Sequence, residues 1–211
     1  MKDKIKEYGV FAVLIIGAFL LGLFLFKNSP NKTLVDNSTT DHHSGGTSVS
    51  VNSKQLNSLV GKPLPDIQLV DKDGKIYTTE SLKGKYTVLF FNEGLMCYPA
   101  CWNQIAGFGS DARFDTDQIQ AMSVLVDPSR DWQRAIDKMP ELATAKTLFD
   151  VGANVSEKLG LLTLPSSMHR GSLPGHTYIL LDKEGIVRFV KDDPNMAIAN
   201  DMLIKKISEF N

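Results

Sequence analysis

Two runs, YTVLFF at residues 86–91 and AMSVLV at residues 121–126, constrain the fold more than any other part of the chain. Both are short, apolar and rich in aromatic or β-branched residues, with almost no polar alternation. A strand that is apolar on both faces must be covered on both faces, as central strands of α/β sheets are. The flanking segments supply the rest. Residues 67–70 and 75–78 bracket Asp-Lys-Asp-Gly and read as a hairpin, and 79–82 as a short helical turn. Helical patterns are expected at 102–108, 132–139, 155–159 and 197–210, and strands at 146–149, 177–181 and 186–190. The expectation is an α/β domain with a mixed central β-sheet flanked by helices.

A second run obeys a different rule. Residues 8–26 carry no charge and are almost entirely apolar. At about 1.5 Å per helical residue they span roughly 28 Å, close to the hydrocarbon core of a bilayer. The run is longer than the apolar part of a signal peptide and leaves through Phe24, Leu25, Phe26 and Lys27 without a small-residue cleavage site. Residues 1–27 therefore read as an uncleaved membrane anchor. Lys2, Lys4 and Lys6 precede the run, whereas only Lys27 and Lys32 follow it, which favours a domain outside the cytoplasm. Residues 28–56 are mostly Asn, Ser, Thr, Asp, Gly and Lys and read as a flexible tether. Residues 57–211 then form one domain of ordinary size. With a formal net charge of −1 and scattered cations, the chain has no nucleic-acid footprint.

Both cysteines, Cys97 and Cys101, lie in the loop after the first buried run, where α/β sheets bind and react. Residues at i and i+4 of a helical turn share one face, so the two sulfurs can close a disulfide with little backbone motion. A cysteine near a helix N-terminus also feels oriented N–H groups that favour its thiolate. As a staple the pair would close a very short loop and remove little chain entropy. A staple or an inert pair is thus the weaker reading beside a cycling thiol pair and a metal clamp. His169 and His176 flank a Gly- and Pro-broken stretch ahead of the strand at 177–181. Two thiolates with one or two imidazoles would suit copper(I). In a redox pair, His176 would instead favour the thiolate or shuttle protons, and Arg170 could add positive charge.

The segment GKPLPDIQLVDKDGKIYTTESLKGKYTVLFF resembles the opening of thioredoxin-fold redoxins, among them the peroxiredoxin-like alkyl hydroperoxide reductase/thiol-specific antioxidant family. SVLVDPSRDW, LFDVGANVSEKLGLL and HTYILLDKEGIVRFV resemble later segments of that family in the same order, so the resemblance covers roughly residues 60–190. It implies a thioredoxin-like fold, no bound cofactor, a peroxide or protein-disulfide substrate and an external thiol as electron donor. The site departs from the pattern. Peroxiredoxins carry Pro and Thr seven and three residues before the peroxidatic cysteine, and counting back from Cys101 gives Gly94 and Tyr98. Cys101-Trp-Asn-Gln104 is similar to the family's segment, with Gln104 where Glu is frequent. It favours Cys101 as peroxidatic and Cys97 as resolving, whereas thioredoxins would make the first cysteine the nucleophile. Pro174 resembles the proline that faces the cysteines in thioredoxin folds. Cys-x-x-x-Cys with a distant histidine is also similar to copper chaperones of the Sco type, which would make Cys97, Cys101 and His176, with His169 beside them, copper ligands.

Overall fold

The computed structural model describes residues 51–210. The expected membrane anchor and most of the tether lie outside them, and no helix among the described residues is long and apolar enough to cross a membrane. The first described element, helix α1 (Val51–Asn57), corrects the expected boundary of the tether at residue 56. Leu56 is buried with Leu64 and Leu159, and Leu59 packs beside them. Apolar residues three apart give one turn a face to seat, and that pattern is too short to stand out in a polar stretch.

Seven strands form one sheet in the order β2-β1-β5-β4-β3-β6-β7. They are β1 (Gln68–Val70), β2 (Ile76–Thr78), β3 (Tyr86–Asn92), β4 (Ile119–Leu125), β5 (Thr147–Phe149), β6 (Thr177–Leu181) and β7 (Val187–Asp192). The two apolar runs are the centre: β3 pairs in parallel with β4, residue for residue from Tyr86↔Ile119 to Asn92↔Leu125. β6 runs antiparallel to β3, with Phe91 opposite Thr177 and Phe90 opposite Tyr178. The sheet is therefore mixed, as expected.

Side-chain alternation splits the core into two layers. Tyr86, Val88 and Phe90 of β3, with Tyr178 and Leu180 of β6, point to one face. There they meet α2 (Ala100–Ser110), α3 (Ser129–Lys138) and α5 (Asn200–Ser208) through Ile105, Ala135 and Leu203. Leu89, Phe91, Ile179 and Leu181 point to the other face and meet Leu56, Leu161, Leu164 and Val155 of α4 (Asn154–Lys158). All seven residues of β3 are buried. This is why its sequence shows no polar alternation.

Candidate active site

The site lies where β3 ends and β6 begins. Because these strands are antiparallel neighbours with Phe91 opposite Thr177, the residue just before β6 falls beside the last residue of β3. The chain leaves β3 at Asn92, makes a 3-10 turn at Gly94–Met96, and enters α2 at Ala100. Three contacts hold this loop. Asn92 accepts the Gly94 N–H through Oδ1 at 2.9 Å, Asp127 accepts the Leu95 N–H at 2.9 Å, and Trp102 Nε1 donates to the Gly94 carbonyl at 3.1 Å. Gly94 has φ +60°, and a β-carbon there would overlap the Asp127 carboxylate. Both facts demand glycine.

Cys97 and Cys101 are joined in a disulfide with a Cα–Cα distance of 5.3 Å. The Cys101 N–H donates to the Cys97 carbonyl at 3.0 Å, so the helical turn begins before the expected helix start at Trp102 and carries the second cysteine in its first residues. Both sulfurs are inside: Cys97 is 2% exposed and Cys101 0%.

His176 is wholly buried, and its Nδ1 lies 3.5 Å from Cys101 Sγ. The ring packs edge-on against Phe90 at 4.5 Å. Burial pushes the His176 pKa down to about 4, against a smaller opposing pull from Asp193, so the ring is neutral around pH 7. Its Nε2 is 2.7 Å from the Tyr178 hydroxyl, which donates to Gln104 Oε1 at 3.0 Å. Burial likewise raises the Tyr178 pKa, so the phenol keeps its proton. Gln104, three residues after Cys101 on α2, is fully buried, and Tyr178 links it to the far side of the His176 ring from the sulfur.

The remaining expected site residues are placed differently. Pro174 is buried in the stretch leading to β6, next to Gly175, where any side chain would strike the backbone at Ser166 and Ser167. The single cis peptide bond among the described residues is Tyr98–Pro99. Arg170 is exposed and donates to the Pro165 carbonyl at 3.0 Å, so its expected electrostatic role at the cysteines is not carried by this arrangement. His169 is also exposed, and its Nδ1 is 2.9 Å from Glu93 Oε2. The buried Glu93 further accepts the Met168 N–H at 2.7 Å and the His169 N–H at 3.1 Å, which ties this loop to the end of β3. His169 therefore leaves the expected metal set. Among the described residues, Cys97, Cys101 and His176 form the one such group, with ligand atoms within 4.8 Å of one another.

Tyr178, Asn200, Asp111 and Glu93 escape a reading of the sequence. Tyr178 alone had a signal, since a residue two after His176 on a strand shares its face. Asn200 and Asp111 come from distant elements that only the fold brings together. Beside the cysteine loop, Leu95, Tyr98, Trp102, Arg134 and Lys138 line an open groove of about 460 Å³. Tyr98 is 67% exposed at its edge and stacks edge-on against Trp102 at 4.9 Å.

No curated protein matches the chain. Among solved structures, AhpC of Enterococcus faecalis superposes with a TM-score of 0.60 at 19% identity, covering 72% of this chain and 93% of that one. Peroxidoxin BcpB of Mycobacterium tuberculosis gives 0.59 at 18% identity, with 72% and 97% covered. A candidate protein disulfide isomerase of Bacteroides thetaiotaomicron gives 0.52 at 21% identity, with 71% and 88% covered. At these identities the likeness establishes the thioredoxin-like fold and nothing finer. The sequence pattern described as the AhpC/TSA family matches residues 60–190, the span from just after α1 into β7 that contains both cysteines and His176. By that match the chain belongs to the AhpC/TSA family.

Proposed function

We propose that the protein is a thiol-dependent peroxidase in which Cys101 attacks peroxide and Cys97 resolves the product. The observation that carries this reading is the 3.5 Å approach of His176 Nδ1 to Cys101 Sγ in the first turn of α2. In the reduced protein the Cys101 thiol passes its proton to His176 Nδ1, and the helix N-terminus favours the thiolate. The thiolate attacks one peroxide oxygen and the O–O bond breaks. The leaving oxygen takes a proton, returned by His176, and departs as an alcohol or water, while Cys101 becomes a sulfenic acid. Cys97 then attacks the Cys101 sulfur, water leaves, and the disulfide forms. A dithiol donor restores both thiols and is itself oxidised to a disulfide. The groove at Tyr98 lies beside the loop and offers the donor an approach.

The test uses Cys97→Ser and Cys101→Ser proteins, reduced and mixed with hydrogen peroxide. Cys97→Ser should accumulate a sulfenic acid on Cys101 that a dione reagent traps, whereas Cys101→Ser should consume peroxide no faster than a free thiol. Peroxide-inert wild type that exchanges rapidly with a protein disulfide would reassign the chain as a disulfide reductase, with Cys101 as the resolving thiol.

One observation favours a second reading. Two sulfurs and an imidazole within 4.8 Å of one another fit copper(I) once the disulfide is reduced. The comparisons give a Sco-type copper chaperone no support. Copper(I) retained by the reduced protein through a chelating column, with loss in His176→Ala, would favour it. We further infer, from the apolar run 8–26 and the lysines that flank it, that the domain is tethered to a membrane and faces away from the cytoplasm.

A further inference from the structure

A line of polar groups, buried at His176, Tyr178 and Gln104 and half-buried at Asn200 and Asp111, runs from His176 away from the cysteines, and every hydrogen in it points the same way. Its far end is Asp111, just after α2, a carboxylate that can only accept. Arg113 holds it ionised, with a pKa lowered to about 2. Asn200 Nδ2 donates to Asp111 Oδ2 at 3.0 Å and to the Gly107 carbonyl at 2.9 Å. Two acceptors on that side fix the orientation of the Asn200 amide. Its Oδ1 then faces Gln104 Nε2, which donates at 2.8 Å.

Gln104 is fixed a second time, independently. Its Oε1 accepts the Ala199 backbone N–H at 2.7 Å, a group that cannot accept. Gln104 Oε1 is thus an acceptor, and the Tyr178 hydroxyl 3.0 Å away must donate to it. The other neighbour of that hydroxyl on this side, the Ala197 carbonyl at 3.5 Å, is an acceptor as well. The single phenolic hydrogen is therefore spent, and Tyr178 shows His176 Nε2 a lone pair at 2.7 Å.

From this we infer that Tyr178, Gln104 and Asn200 are positioning residues that hold His176 as its Nε2–H tautomer and leave Nδ1 bare toward Cys101. The inference rests on the reading of Cys101 as the thiol that His176 deprotonates. A neutral imidazole has one N–H. With the opposite tautomer, Nδ1–H would face the sulfur and the thiol would have no acceptor. When Nδ1 takes the thiol proton, the imidazolium keeps its Nε2–H on Tyr178, so no group in the line has to turn. The charged groups near His176 and Tyr178 are Asp193 and Lys191 at the end of β7, which pair with each other at 3.5 Å. At the far end, Arg113 is paired with both Asp111 and Asp201. Phe90 closes the ring's apolar side.

The test is nuclear magnetic resonance on the detergent-solubilised full-length protein, labelled with nitrogen-15 histidine. Long-range proton–nitrogen spectra distinguish a protonated ring nitrogen from a bare one, and His176→Gln identifies the signal among the four histidines. In the oxidised protein at neutral pH, His176 should show Nε2 protonated and Nδ1 bare. In Tyr178→Phe the two tautomers should mix. Peroxide consumption by that variant at neutral pH should fall about ten-fold, the equivalent of one pKa unit at Cys101, and recover as the pH is raised. A wild-type ring protonated at Nδ1 overturns the inference, as does a Tyr178→Phe protein with unchanged ring spectrum and pH profile. If Tyr178→Phe does not fold, the wild-type spectrum decides alone. Wild type that shows the Nε2–H ring but ignores peroxide supports the tautomer assignment and removes the peroxidase reading.

Discussion

His176 is a base whose neutral form the protein interior enforces. Its pKa is held at about 4 by burial, against 6.5 when unperturbed. Between those values the unfolded chain binds a proton that the folded one refuses, so stability falls as the pH drops through this window. Each pH unit inside it is worth about 1.4 kcal/mol. Between about pH 7 and about pH 4.5, the oxidised wild type should lose about 2–3 kcal/mol more than His176→Gln, in which nothing titrates at this position. Denaturant unfolding at the two pH values measures the difference, and parallel losses in the two proteins would refute the buried neutral ring. The same burial limits His176 as a base by itself. A negative charge beside the ring would favour its protonated form.

At the scale of elements, the turn between β3 and α2 decides whether the sulfurs meet. Gly94→Ala would force a side chain into positive φ and against Asp127, and should cost at least about 1–3 kcal/mol. Intramolecular disulfide formation under mild oxidant should slow with it. A Gly94→Ala protein as stable as wild type would show that the close approach can relax. The elements themselves were legible in the chain. Apolar runs without alternation placed β3 and β4, turn residues placed the hairpins, and 177–181 matches β6 residue for residue. What the sequence hid had physical causes. Helix α1 is one short turn of pattern inside polar chain, and α2 starts before Trp102 because the Cys101 N–H bonds back across Pro99 to Cys97. Residue type and spacing singled out Cys97, Cys101 and His176, and the fold brings the three side chains together. The loop histidine and arginine were misplaced, because type and spacing cannot show that Glu93 and the Pro165 carbonyl claim His169 and Arg170. The line from Tyr178 to Asp111 joins β6, α2 and α5, and no local pattern predicts such a meeting.

For the whole molecule, the proposed tether places a domain of this family outside the cytoplasm, and the placement is open to direct measurement. Protease added to intact spheroplasts should cut within residues 28–50 and release the folded domain, leaving it as one fragment that begins near α1. Protection until the membrane is breached would reverse the orientation. Within the domain, the sheet sets the outcome of every step described above, because β3 and β6 bring the ends of the site together before any substrate arrives. The depth of the two sulfurs carries a last consequence. With Cys97 2% and Cys101 0% exposed, the oxidised pair is insulated from casual encounter. A thiol in solution can reach it only while the loop is open, a local fluctuation with its own free-energy cost. A partner that docks on the loop and stabilises the open form escapes that toll. On the proposed reading, the molecule would store an oxidising equivalent amid unrelated thiols and surrender it on recognition, so that which donor reduces it would be decided by fit more than by abundance.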